Sequence, residues 1–210
     1  MITASRSSRL RLLAPTLVLL AGCGYNTIQS LDEQTNSARS QIEVQLQRRA
    51  DLIPNLVQTV KGYATHEETV FKEVADARAR LAGSIQTHDP SQMASADAQM
   101  TGALGRLLAI SEAYPQLKAN ENFIRLQDEL TGTENRIAVS RKDYNDAARQ
   151  YNTYIRTFPQ ALTAKATGAK AKSYFEVANA GARETPTVDF SRPATPAPAT
   201  PPAAAPPPKP

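Results

Sequence analysis

The sequence predicts an all-α fold: an antiparallel up-and-down bundle of about four helices, the first and third long, followed by a disordered Pro-rich C-terminal tail. Three observations carry that expectation. Apolar residues recur seven apart over long stretches that hold almost no Gly or Pro, which is the periodicity of a helix that buries one face. No segment alternates polar and apolar residues as a half-buried strand would. Prolines stand at short connections between the periodic stretches, and short connections make neighbouring helices antiparallel.

The first 22 residues read as an export signal rather than as part of the bundle. Arg6, Arg9 and Arg11 form a positive region without an acid, and Leu12 to Ala21 is apolar apart from Thr16 and broken only by Pro15. A membrane-spanning helix needs about 20 apolar residues, whereas this length suits the apolar core of a secretory signal. The run closes on Leu20-Ala21-Gly22-Cys23, which looks like a bacterial lipobox. Cys23 is therefore the expected lipidation site and the first residue of the processed chain. Gly24 follows it, where lipoproteins kept in the inner membrane usually carry Asp, so in a Gram-negative cell the outer membrane facing the periplasm is expected. Removing three arginines and no acid takes the formal charge from +4 to +1. So little charge gives no ground for nucleic-acid binding.

From Ile28 to about Ala82 the only Gly is Gly62 and the only Pro is Pro54. One row runs Ile28, Thr35, Ile42, Arg49, Leu56, Tyr63, Val70 and Ala77. Leu31 and Ala38 flank it in the first half, and Leu46, Ile53, Val60, Val74 and Leu81 in the second. This reads as a narrow coiled-coil-like seam that widens into a bundle face. Residues 23–45 would form the anchor and a helical stalk, and residues 46–184 the bundle. Pro54 leaves two outcomes open: a kink within a continuing helix, or a restart with Asp51 as N-cap. If the helix continues, carbonyls near Ala50 are freed. Asp51, Pro54 and Asn55 then mark a candidate interaction surface.

Gly83 to Pro90 reads as a turn, with Asp89 capping a second helix that starts at Pro90. That helix runs through Met93, Ala96, Met100, Leu104 and Leu107 to Tyr114-Pro115, where the residue before Pro leaves the helical region. Asn120 caps the third helix, whose row is Phe123, Leu130, Ile137, Tyr144, Tyr151 and Phe158, closed by Pro159. A weaker fourth helix is expected from about Ala161 to Ala180, carrying Leu162, Tyr174, Phe175 and Val177 and interrupted by Gly168. Ten of the 15 prolines lie between Pro186 and Pro210. Residues 185–210 cannot bury a core and are expected to be a disordered tail that threads toward cell-wall polymer.

Several stretches resemble the signature of LemA proteins: Arg48-Arg49-Ala50-Asp51-Leu52-Ile53-Pro54-Asn55-Leu56-Val57, Val60-Lys61-Gly62-Tyr63-Ala64 with His66-Glu67, and Tyr114-Pro115-Gln116-Leu117-Lys118-Ala119-Asn120. The third helix adds Leu126-Gln127-Asp128-Glu129-Leu130, Thr133-Glu134-Asn135-Arg136-Ile137-Ala138, Arg141, Tyr144-Asn145, Tyr151-Asn152 and Phe158-Pro159. The resemblance covers roughly residues 25–180. It implies an antiparallel four-helix bundle at a bacterial membrane, without established enzymatic activity or cofactor. It also implies candidate envelope partners, a membrane metalloprotease or a phosphatase-like envelope domain, because such genes often neighbour the family's. Many members keep an uncleaved membrane helix, where this chain has Leu-Ala-Gly-Cys.

The residues themselves exclude most site chemistry. One Cys and two His, His66 and His88, cannot build a multi-thiolate or multi-histidine metal centre. His66-Glu67-Glu68 lacks the second His of a zinc-protease helix, since Val70 stands four places on. No Gly-X-Ser-X-Gly elbow and no phosphate loop exists. Any carboxylate pair for cell-wall chemistry would come from Glu67, Glu68, Glu129 or Glu134. Arg49 interrupts the first apolar row, and Glu134 and Arg141 lie seven apart beside the third. These three form a candidate interhelical polar network, because an unpaired buried charge is costly. Asn145 and Asn152, each following a Tyr, form a polar row able to bond a neighbouring helix or a peptide backbone. Self-association of residues 28–45 into an oligomeric stalk is a further expectation.

Overall fold

The structure is a computed structural model that describes the backbone of residues 6–176 and the side chains of residues 24–176. The side chain of Cys23, the last residues of the expected fourth helix and the tail 185–210 lie outside the described residues. The described residues form six helices and no strand: α1 (Arg6–Lys61), α2 (Glu68–Gln86), α3 (Pro90–Ala113), α4 (Pro115–Lys118), α5 (Glu121–Tyr154) and α6 (Gln160–Thr167). Four of them, α1, α2, α3 and α5, make the expected antiparallel bundle.

The expected first helix is two helices. α1 ends at Lys61 and the chain reverses through residues 62–67 before α2 begins. Gly62 and Tyr63 continue for a last turn, their N–H groups reaching Gln58 and Val60 carbonyls at 3.3 and 3.0 Å. The seven-residue row runs unbroken across this point, so periodicity conceals the reversal. The low helical propensity of Gly62 is the local weakness that admits it. Folding back lets Phe71, Val74, Ala77 and Leu81 of α2 bury against the same core as Leu46, Ile53, Leu56 and Val60 of α1. Tyr63, placed in the row, ends 37% exposed.

The next turn is shorter than expected. α2 continues through Gly83 to Gln86, where Ser84 and Ile85 are buried, leaving Thr87 to Asp89 as the connection. Asp89 caps α3 as expected, its carboxylate accepting from the Ser91 N–H at 2.9 Å with Pro90 at the first helical position. Asn120 caps α5 likewise, accepting from the Phe123 N–H at 3.1 Å. Of the α5 row, Phe123, Leu130, Ile137, Tyr144 and Tyr151 are buried, while Phe158 lies past the helix end and is 78% exposed.

Residues 28–45 are not a free stalk. The α2–α3 turn meets α1 at Arg39 and Glu43, where His88 Nδ1 lies 2.9 Å from the Glu43 carboxylate. Below that level α1 continues beside the C-terminal half of α5. Ile28, Tyr151, Ile155 and Ala164 form a second, smaller core there, with Leu31, Tyr154 and Ala169 packed on it. The apolar seam assigned to self-association is thus consumed within the chain, because α5 is long enough to follow α1 down.

The fourth helix is also revised. α6 has only eight residues, and Gly168 ends it in the left-handed region at φ 70°, a conformation Gly adopts without the Cβ penalty. Residues 169–176 then run without helix along the α1–α5 pair. Leu162 and Tyr174 are exposed, and Phe175 alone of this stretch's large apolar residues is buried in the main core. Among the described residues no helix is long and apolar enough to cross a membrane.

Candidate functional site

Two polar constellations stand out, and each is built from residues that local helix geometry places. The first surrounds Arg49, which α1 turns into the bundle at the level where α3 and α5 pass. Its Nη1 lies 2.7 Å from Asp97 Oδ1 on α3 and 2.6 Å from Glu134 Oε2 on α5. Its Nη2 donates to Thr101 Oγ1 at 3.1 Å. Arg141, two turns along α5 from Glu134, pairs with the other oxygen of Asp97. Of the sequence-predicted trio, Arg49 and Glu134 therefore meet directly, and Arg141 joins them through a fourth residue that sequence reasoning missed. Asp97 is 1% exposed and bridges both guanidinia.

The quartet holds two cations and two anions, and its members are unequal. The Glu134 side chain is 42% exposed and approaches Arg49 off the N–H axis, so that contact is ionic rather than a directed hydrogen bond. Burial lowers the proton affinity of Arg49, and the charge of Glu134 opposes that. Burial also lowers that of Arg141, with repulsion from Arg49 adding to it. Arg141 further stacks over the Phe175 ring at 4.9 Å, a favourable cation–π placement. Every charge faces an opposite one, and these ion pairs link α1, α3 and α5, while the Nε atoms of Arg49 and Arg141 have no hydrogen-bond partner.

Beside it, α1 continues through Pro54 without a restart. Asp51 is no cap: its carboxylate accepts from Gln47 at 2.9 Å. A proline at 54 leaves the Ala50 carbonyl without its helical donor. Arg78 of α2 fills that place, its Nε donating to Ala50 O at 2.9 Å. The partner's donor anticipated for this carbonyl is supplied by the chain itself. Asp51, Pro54 and Asn55 remain exposed on the outer face of α1. Arg78, the second residue sequence reasoning missed, sits one position after the buried Ala77 and reads as surface by pattern.

The second constellation is the Asn row of α5. Asn152 donates to Lys172 O at 2.9 Å and accepts from Lys172 N at 2.7 Å. Asn145 does the same with Phe175, at 3.1 and 2.8 Å. Seven helical residues rise about 10.5 Å, and three extended residues span about 10 Å. The match lets two amides grip one extended backbone at both ends. Tyr144 adds a bond from its hydroxyl to Ser173 O at 2.7 Å, and Lys172 Nζ reaches Asp32 at 2.7 Å. Burial raises the Tyr144 pKa above the ordinary tyrosine value. Arg39 and the Ser173 bond oppose this, whereas Asp89 adds to it. The occupant of the peptide-binding row is therefore residues 172–175 of the same chain.

Other depressions on the described surface are open and hold 350 to 590 Å³. Among the described residues no group of three His, Cys, Asp or Glu side chains could hold a metal ion. Glu67 and Glu68 stand at the α1–α2 connection, Glu129 is exposed on α5, and Glu134 is engaged by Arg49.

Comparison with known proteins follows the same lines. A sequence profile of the LemA family matches residues 38–190. Magnetosome protein MamQ 2 of Paramagnetospirillum magneticum is 32% identical over 189 residues, spanning 78% of this chain and 68% of that protein. Magnetosome protein MamQ of Magnetospirillum gryphiswaldense is 30% identical, with the same coverage. Protein LemA of Metamycoplasma hominis is 24% identical over 134 residues, spanning 63% of this chain and 60% of that protein.

Proposed function

The chain belongs to the LemA family, and from that premise we propose that it is a membrane-attached, non-enzymatic interaction module of the bacterial cell envelope, tethered by lipid on Cys23. What carries the reading is the use of its polar groups. Arg49, Asp97, Arg141 and Glu134 pair with one another as ions, Arg78 closes the carbonyl beside Pro54, and Asn145 and Asn152 hold the chain's own backbone. Convergent groups are spent on shape, which suits a rigid body that presents surfaces. The exposed stripe of Asp51 and Asn55 on α1 is the face offered to an envelope protein, such as a membrane metalloprotease or phosphatase-like domain. The Pro-rich segment 185–210 is the part of the chain proposed to contact the cell wall. Gly24 after the lipidated Cys favours the outer membrane facing the periplasm in a Gram-negative cell.

Growth with radioactive palmitate tests the anchor. The wild-type chain takes up label and Cys23→Ala does not; absence of label on wild type, or equal label on both, overturns it. A photo-crosslinker in place of Asn55 is expected to capture a discrete envelope protein. Muropeptide release from isolated sacculi by the purified chain, abolished in Glu134→Gln, would overturn the non-enzymatic reading.

A further inference from the structure

The two ends of the molecule differ in charge and in exposed apolar surface. At one end α1 emerges from the apolar run of residues 12–21, and a Cβ placed on Gly24 would lie 3.5 Å from Thr163 Oγ1 of α6. The start of the described α1 side chains, the α5–α6 turn and α6 therefore share this end. Three large apolar side chains stand in solvent here: Tyr25 at 46%, Leu162 at 64% and Phe158 at 78% exposure. Phe158 projects from the connection after α5, and Leu162 lies four residues on, in the first turn of α6.

Basic residues predominate here, with Asp32 and Glu33 on α1 and Asp146 on α5 at its border. No Asp or Glu occurs in residues 1–31 or 147–175, whereas the second segment holds Arg149, Arg156, Lys165, Lys170 and Lys172. Arg149 pairs with Asp146 and Lys172 with Asp32. Arg156, Lys165 and Lys170 are exposed and pair with no carboxylate among the described residues. The opposite end is mixed, with Glu67, Glu68, Glu112 and Glu121 near Lys61 and Lys118.

We propose that this end is a membrane-contact surface for an anionic bilayer, with Phe158 and Leu162 seated at the boundary of headgroups and acyl chains and Arg156, Lys165 and Lys170 over lipid phosphates. Aromatic and aliphatic side chains beside unpaired cations are what an interfacial element presents. Each basic residue near an anionic surface adds attraction that falls off within a Debye length. The inference rests on the membrane attachment proposed above. It adds a second point of contact, which would hold the bundle at a fixed tilt rather than letting it swing on a lipid tether.

The chain contains no Trp, so Phe158→Trp in the full chain gives a single reporter, and Leu162→Trp a second. Ile124→Trp on α5, 44% exposed, is the control away from this end. Each is mixed with vesicles of phosphatidylethanolamine and phosphatidylglycerol carrying brominated acyl chains. The expected result is blue-shifted, strongly quenched emission from Phe158→Trp and Leu162→Trp and none of either effect in Ile124→Trp. Quenching should fall several-fold when Arg156, Lys165 and Lys170 are changed to Glu, or in phosphatidylcholine vesicles. A chain that floats with the vesicles while the indoles of Phe158→Trp and Leu162→Trp stay unquenched overturns the inference alone. A blue shift without bromine quenching does the same, because it marks burial against protein. A chain that does not float overturns the membrane reading with it.

Discussion

Asp97 sits between two guanidinia with 1% of its surface exposed, and what happens when its charge is removed follows from that position. In Asp97→Asn, Arg49 keeps its bond to Thr101 and the off-axis contact with Glu134, and Arg141 loses its carboxylate. Stripping one partner from a buried pair costs about 3–5 kcal/mol, because the other charge is left uncompensated. Urea unfolding of Asp97→Asn should show that loss, while Glu134→Gln, at the solvent edge, should lose at most about 1 kcal/mol. Equal losses would mean the charges act through the whole quartet rather than through Asp97. Arg49 is legible in the sequence because it breaks an apolar row, and Glu134 and Arg141 because they flank one seven residues apart. Asp97 is not, because a short acid in an Ala-rich stretch reads as a surface position. Tyr144 supports a pH prediction. Its proton affinity is raised chiefly by burial, so the folded state favours the neutral phenol. The stability this provides is fully present below the ordinary tyrosine pKa of about 10 and is lost as pH rises through the higher folded value. Denaturant midpoints should hold up to about pH 10 and fall beyond it. Tyr144→Phe should lose about 1 kcal/mol at neutral pH, from the bond to Ser173, and show a shallower alkaline decline. An unchanged alkaline decline would remove Tyr144 as its source.

Segment 168–176 is an element whose position depends on side-chain amides rather than on its own periodicity. It has no helix, and one large apolar side chain, Phe175, enters the core. The hydrogen bonds of Asn145, Asn152 and Tyr144 to its backbone and the Lys172–Asp32 pair add to this. Each Asn→Ala change leaves a backbone N–H and C=O to find water, at about 1–2 kcal/mol. Hydrogen exchange on the full chain should show the Lys172 amide losing protection in Asn152→Ala, and the Phe175 amide in Asn145→Ala. Retained protection in both would mean that Phe175 burial, with the Tyr144 and Lys172 contacts, holds the segment without the amides. The sequence reveals the Asn row and its capacity to bond a peptide backbone, but its pattern predicts a helix where the peptide lies. Gly168 carries the missing information. In the helical pattern it reads as a weak spot, and in the fold it is the stop. Gly62 behaves alike, since a seven-residue repeat that survives a chain reversal cannot report it. Caps are legible where they rest on local chemistry, as at Asp89 and Asn120, and the fate of Pro54 is not, because Arg78 decides it from another helix.

At the scale of the whole described body, the buried side chains fall into two sets of unequal size. The main core spans α1, α2, α3 and α5 from Ile42 to Ala148 and takes in Phe175. The smaller set, toward the start of the described side chains, consists of Ile28, Tyr151, Ile155 and Ala164 with three partly buried neighbours. One continuous helix, α1, belongs to both, so the smaller set cannot unfold independently of backbone that the larger one holds. It can open as an end opens, and regions with few buried apolar contacts open at lower free energy than a main core. Hydrogen exchange should therefore place amides of residues 29–38 and 150–155 in a less protected class than those of 46–60 and 130–144. Ile155→Ala removes about 2–3 kcal/mol of burial from the small core. Its effect should be faster exchange in the first class with the second unchanged. Acceleration of both classes by the same factor would mean that the two cores form a single cooperative unit, the smaller as rigid as the larger. On the membrane-attached reading proposed above, an end that opens separately would let the bundle reorient over the membrane, whereas a fully cooperative body would transmit any tilt of its base to the Asp51–Asn55 face.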